Sequence, residues 1–177
     1  MRVIAIYGGP GTGKTTTATA LVYALGAHYV SSGDIARAVD PEALARGEMA
    51  NREKLREGFR QALYNAGSHG ITVVDGLPRD PTDVELLPEG TIYIFLTCTR
   101  SIAVERQVAR GRKGDEDISL IWKRTDEQAK LLQLSRPNSW AYRLATEQGT
   151  LSTSYLRPDQ VNERVLDYIS GRRDRLI

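Results

Sequence analysis

Residues 8–15 read Gly8-Gly9-Pro10-Gly11-Thr12-Gly13-Lys14-Thr15. Glycines let a backbone curl until several N–H groups converge on phosphate oxygens. Lys14 can supply a mobile cation to β- and γ-phosphates, and the Thr15 hydroxyl can ligate Mg²⁺. The flanks match the motif's needs. An apolar run, Val3-Ile4-Ala5-Ile6-Tyr7, precedes it as a buried strand, and a helix-compatible stretch, Thr15 to Leu25, follows it. A helix start at that point adds its positive end to the same spot. The expected ligand is a nucleoside triphosphate with Mg²⁺, lined by Gly9, Gly11, Thr12, Gly13, Lys14, Thr15 and Thr16.

Other residues with chemistry in them fall at the ends of apolar runs. Asp75 closes Ile71-Thr72-Val73-Val74-Asp75, where a Mg²⁺-facing carboxylate is expected beside a phosphate loop. Gly76-Leu77-Pro78-Arg79 follows, so Arg79 falls in the crevice at the carboxyl ends of an open α/β sheet. Ser31-Ser32-Gly33-Asp34-Ile35-Ala36-Arg37 forms a hydroxyl-Gly-Asp turn with Arg37 about one helical turn in. Two arginines at one crevice imply a second anion, because planar guanidinium groups suit phosphate. Arg106 and Arg110 are four apart and share a helix face, with Arg124 beyond. Phosphoryl transfer is catalysed by positioning and by neutralising spread charge, and it needs no protein nucleophile. No Ser-His-Asp set competes, and His28 and His69 stand isolated, without metal-ligand spacing.

The elements that must hold these residues follow from periodicity. Strands are expected at 3–7, 27–31, 71–75, 91–98 and 149–153, and helices at 15–25, 52–65, 102–110, 117–134 and 159–169. Continuous apolar strands alternating with helices predict a three-layer α/β domain over residues 1–177, with a central five-stranded parallel sheet covered on both faces. Two stretches stand outside the sheet. The first, about 32–66, is polar and helical. The second, about 111–117, is small, charged and flanked by glycine; it is either a mobile cover over an anionic ligand or a solvated turn.

Composition sets bounds. Hydrophobic residues form 41% of 177, enough for a core, and the formal net charge of +2 makes no case for a nucleic-acid or membrane partner. The Arg172-Arg173-Asp174-Arg175 cluster reads as a solvated tail. The single cysteine, Cys98, fits a buried strand-end thiol and a reducing cytosol. The chain runs straight into its first strand without a signal peptide, and no apolar run nears the ~20 residues of a membrane span. A cytoplasmic location is expected, with small-molecule substrates; the oligomeric state stays open.

In order and rough spacing over about residues 1–135, these motifs resemble the adenylate kinase family of nucleoside monophosphate kinases. Its phosphate loop matches residues 8–15, its S-T-G-D-x-x-R segment 31–37, its D-G-F-P-R signature 75–79 and its R-x-x-x-R 106–110. Its acidic pair and Arg after the lid match Asp115-Glu116 and Lys123-Arg124. The resemblance implies that Arg37 and Arg79 hold an acceptor monophosphate, that Ser32 lines its sugar or base side, that Gly33 and Gly76 also belong to the substrate-binding set, and that Met49 and Ala50 form a turn beside the base. It implies Arg106 against the donor base, Arg110 on donor phosphates, and Arg124 bridging the transferred group with Asp115 positioning it. Lys14, Arg79, Arg110, Arg124 and Asp115 are then the catalytic set, with Thr15 and Asp75 placing Mg²⁺.

The departures matter. The lid is short and cannot hold zinc, and Lys113 stands where the family usually has an Arg. Asp83 replaces the Gln that reads adenine; an acceptor-only carboxylate suits the donor-rich edges of guanine or cytosine, or else is an exposed turn residue with no base contact. The reaction expected is transfer of the ATP γ-phosphoryl group to a nucleoside or deoxynucleoside monophosphate. Alternatives are a kinase for another small metabolite or modified nucleotide on the same scaffold, and a nucleotide-binding regulatory ATPase.

Overall fold

The computed structural model describes residues 2–45, 50–67, 70–111, 117–136, 139–145, 149–172, 174 and 176. Five strands, β1 (Arg2–Gly8), β2 (His28–Ser31), β3 (Ile71–Asp75), β4 (Ile92–Thr97) and β5 (Thr150–Ser152), form one parallel sheet in the order β2-β3-β1-β4-β5. The helices are α1 (Lys14–Leu25), α2 (Ser32–Val39), α3 (Pro41–Ala45), α4 (Arg52–Ala66), α5 (Arg100–Arg110), α6 (Ile118–Leu131), α7 (Trp140–Ala145) and α8 (Pro158–Ile169). This is the doubly covered parallel sheet that the alternation of apolar runs and helices predicts.

Strand side chains alternate between faces, and each face has its own cover. Ile4 and Ile6 of β1, with Val73 of β3 and Ile94 of β4, pack under Ala18 and Leu21 of α1 and Val161 and Val165 of α8. Val3, Ala5 and Val74 turn the other way, onto Phe59, Leu63 and Ala66 of α4. On that same face Tyr7 stacks on Phe95, with ring centroids 4.8 Å apart, and donates its hydroxyl to the Ala141 carbonyl at 2.5 Å. α7 is thereby fastened beneath the start of the phosphate loop.

The differences from the sequence reading are local. The helix expected to run to 134 ends at Leu131, because Leu132 turns fully into the core and Gln133 takes a left-handed backbone (φ 53°). The short α7 and a 3₁₀ turn over Pro81–Leu86 carry too few residues for a periodic signal. Among the described residues the polar stretch after β2 is helical as expected, in the pieces α2, α3 and α4. Gly58 of α4 lies so close to Ile35 and Val39 of α2 that a Cβ there would press on both.

Parallel strands bring all their carboxyl ends to one edge. The order makes β1 the strand at which the connections switch sides, and the crevice at such a point is where open α/β sheets bind ligands. Gly8, Ser31, Asp75, Thr97 and Ser152 all end there.

Candidate active site

The phosphate loop occupies residues 8–13, between β1 and α1. Gly13, the residue before α1, has a left-handed backbone (φ 90°) and gives the helix no side-chain cap. The first amides of α1 are therefore left pointing into the loop, available to an anion. Gly11 is required twice over: its φ is +73°, and a Cβ there would overlap the Ala103 carbonyl of α5. Thr12 Oγ1 donates to the Gly9 carbonyl at 2.8 Å and tightens the curl.

Lys14 Nζ donates to the same Gly9 carbonyl at 2.6 Å. Burial pulls its ammonium down to about 8, against the opposing pull of the Asp75 carboxylate. A cation so poorly compensated is primed to trade one carbonyl for phosphate oxygens.

Across the loop, Thr15 Oγ1 donates to Asp75 Oδ2 at 2.7 Å. The hydroxyl and the buried carboxylate are hard oxygen donors, the set that Mg²⁺ takes together with water and phosphate oxygens. The residues thus fit the metal: Thr15 and Asp75 are the two that would hold it. Tyr29 of β2 also donates to Asp75 Oδ2, at 2.9 Å. The sequence reading missed it, because a tyrosine in a half-buried strand carries no motif.

A cavity of about 460 Å³ opens over the loop. The loop and Thr15, Thr16, Arg106 and Arg110 form its polar lining, and Leu156, Pro158 and Val161 its apolar lining. Arg106 lines it and is also committed structurally. Its guanidinium donates to the Gly11 carbonyl at 3.3 Å, to Thr153 Oγ1 at 2.9 Å and to the Thr153 carbonyl at 2.7 Å. Thr153 Oγ1 in turn reaches the Thr12 carbonyl at 3.1 Å. One arginine and one threonine thus tie α5, the phosphate loop and the turn after β5 together. Thr153, just past a weak strand, was also invisible in the sequence.

The second group gathers at the ends of β2 and β3. Gly76 has φ +89°, and a Cβ there would overlap Ser32 Oγ. That close approach lets Arg79 donate to Ser32 Oγ at 3.2 Å. Burial lowers the Arg79 pKa, and Asp83 and Asp75 offset part of that cost. Arg37 lies one turn beyond Gly33 and pairs with Asp34 at 2.5 Å, both side chains more than half exposed. Ala50 precedes Asn51, which caps α4.

Asp83 requires a correction. The sequence reading sets it against an acceptor base or leaves it as an exposed turn residue, but it is buried, 6% exposed. Its Oδ2 accepts the Arg79 backbone N–H at 3.0 Å, and its Oδ1 lies 3.8 Å from Arg56. With both oxygens engaged inside the protein, it clamps the turn that carries Arg79. Arg56 was missed because only the tertiary fold lays α4 beside that turn.

Arg124 lies on α6 with Nε donating to the Leu120 carbonyl at 3.3 Å. Asp115, Lys113 and Glu116 of the expected lid, and Met49 of the expected base turn, lie outside the described residues. Cys98 follows β4 half-buried, and burial pushes its thiol up, away from reactivity. Among the described residues no group of His, Cys, Asp and Glu is arranged to hold a metal, and no helix is long and apolar enough to cross a membrane.

The model of the AAA domain family matches residues 7–121, which hold the phosphate loop, both arginine turns and α5. Adenylate kinase isoenzyme 5 of Bos taurus is 26% identical over 136 residues, 67% of this chain. That match spans about a quarter of the relative's own length (24%). Uridylate kinase of Saccharomyces cerevisiae is 28% identical over 143 residues, 69% of this chain and 70% of that protein. The crystal structure of a gluconokinase from Sinorhizobium meliloti 1021 superposes with a TM-score of 0.69 at 16% identity, covering 97% of this chain and 93% of that one. With its loop, strand order and arginine turns in the places described, the chain belongs to the AAA domain family and is similar in sequence to the adenylate and uridylate kinases.

Proposed function

We propose that the protein transfers the γ-phosphoryl group of ATP, with Mg²⁺, to a nucleoside or deoxynucleoside monophosphate. The observation that carries this reading is Arg79. The fold spends a left-handed glycine, a buried carboxylate clamp and the Ser32 hydroxyl on holding one partly desolvated guanidinium beside the phosphate loop. Such a group is costly unless an anion uses it, and a triphosphate in the cavity over the loop leaves this side for a second phosphate.

In this reading the loop amides and Lys14 hold the donor phosphates, and the apolar lining of the cavity takes the base. Lys14 releases the Gly9 carbonyl and follows the migrating charge. Thr15 and Asp75 would hold Mg²⁺, which would supply charge neutralisation and alignment of the phosphate oxygens. Arg79, steadied by Ser32, holds the acceptor phosphate, and Arg37 joins it by leaving its exposed pair with Asp34. Arg110 faces the donor phosphates from the end of α5. Arg124, on α6, and Asp115, of the lid expected over residues 111–117, act on the transferred group. Every step is positioning and charge neutralisation, as this reaction class requires.

The test is Mg²⁺-dependent ADP formation against a panel of ribo- and deoxyribonucleoside monophosphates, with an acceptor-free blank. Arg79→Ala should lower kcat/KM for the acceptor roughly 10²-fold, on the scale of a lost charge-stabilising contact, while the KM for ATP stays within about threefold. Unchanged acceptor kinetics would sink the monophosphate assignment. A second reading, a kinase for an anionic sugar or metabolite, draws on the gluconokinase fold likeness and on the tie of Arg37 to Asp34. Turnover of a sugar acid by a protein inert toward every monophosphate would replace the first reading with the second.

A further inference from the structure

The Asp75 carboxylate is held by two hydroxyls from different elements. Thr15, at the start of α1, and Tyr29, on β2, both donate to Oδ2, at 2.7 and 2.9 Å. Among the described residues Oδ1 has no hydrogen-bond partner. Two donors on one oxygen fix the rotation of the carboxylate and so fix the direction in which the other oxygen is offered.

The two donors are not equivalent. Thr15 is the residue that fits the cation. A hydroxyl has one hydrogen and two lone pairs, so Thr15 can ligate a metal and still donate to Asp75, but metal placement then dictates its position. Tyr29 has no such second duty. Its ring packs against the core cluster under α1, and its backbone pairs with Val73, two residues before Asp75 on the neighbouring strand. A phenol on two side-chain torsions, anchored in the sheet, is a fixed post.

We propose that Tyr29 is a positioning residue for the divalent cation: its hydroxyl locks the Asp75 carboxylate and so sets how the other carboxylate oxygen would be presented to the cation. This rests on the assignment of Mg²⁺ to Thr15 and Asp75 and on nothing about the acceptor. Groups that orient metal-ligating side chains typically contribute about 10–100-fold to metal affinity.

The experiment is Tyr29→Phe, which removes one oxygen and keeps the ring. Mn²⁺ binding to the protein with the non-hydrolysable adenosine imidotriphosphate is followed by electron paramagnetic resonance. Nucleotide binding in EDTA is measured alongside by calorimetry. The expected result is an Mn²⁺ Kd about tenfold weaker, nucleotide binding in EDTA changed less than twofold, and no added effect of Tyr29→Phe in an Asp75→Asn background. Unchanged Mn²⁺ affinity, or equal losses with and without metal, would overturn the proposal. If Asp75→Asn itself left Mn²⁺ binding intact, the metal assignment would fail first, and with it this inference. A failure of the monophosphate panel touches neither.

Discussion

Lys14 is the residue whose local energetics run most plainly against stability. Its folded pKa of about 8 lies below its ordinary 10.5. The charged form is therefore penalised in the folded protein, and the penalty is fully present below pH 8. Between pH 8 and 10.5 the unfolded chain binds the extra proton, so this residue's contribution to stability rises with pH through that window. Lys14→Met should accordingly cut turnover by about 10²–10³-fold or more while raising the unfolding temperature. ADP formation and a thermal scan of the same preparation check both halves, and a less stable variant would show that the Gly9 contact outweighs desolvation. Phosphate oxygens should return the proton that burial makes labile. ATP binding near pH 8 is thus expected to take up protons, which calorimetry in buffers of different ionisation enthalpy would register.

At the scale of elements, the phosphate loop is held from both sides, by the Tyr7 strand end beneath it and by the Arg106–Thr153 tie above it. Thr153→Val removes a hydroxyl that accepts from Arg106 and reaches the Thr12 carbonyl, leaving a half-satisfied network at a residue only 2% exposed. A cost of about 1–3 kcal/mol in folding free energy is expected, with ATP binding weakened several-fold, because the loop loses one of its two holds. Denaturant unfolding and calorimetric ATP titration would reveal it. A loss confined to folding would make the tie purely architectural, and Thr153→Ser should restore both. The turn bearing Arg79 is braced likewise, by Asp83 from within and by Arg56 of α4.

For the whole molecule, the cavity over the phosphate loop joins that loop, α1, α5, the turn after β5 and the start of α8, segments far apart in sequence. A ligand that binds only this assembly stabilises all of it. With MgATP at 100 times its Kd the gain is about 2.7 kcal/mol, or roughly 5–10 °C in unfolding temperature for a chain of this length. Withdrawing Mg²⁺ with EDTA should remove most of it. What one strand of letters determined by itself is whatever rests on local chemistry. A glycine-rich turn between an apolar strand and a helix builds its own anion nest, Asp75 announces itself by ending an apolar run, and Arg79 by following that end through Gly76-Leu77-Pro78. The sheet was legible for the same reason, since strands buried on both faces must be continuously apolar. What only the tertiary structure decided is partnership across the sheet edge. Asp83 was either a base reader or an exposed turn residue by its sequence, and neither reading foresaw that the Arg79 amide and Arg56 of α4 would engage both its oxygens inside the protein. Tyr29 and Thr153 carry no signature, because their roles exist only where separate strands end side by side, and distance along the chain says nothing about which hydroxyl will meet which carboxylate.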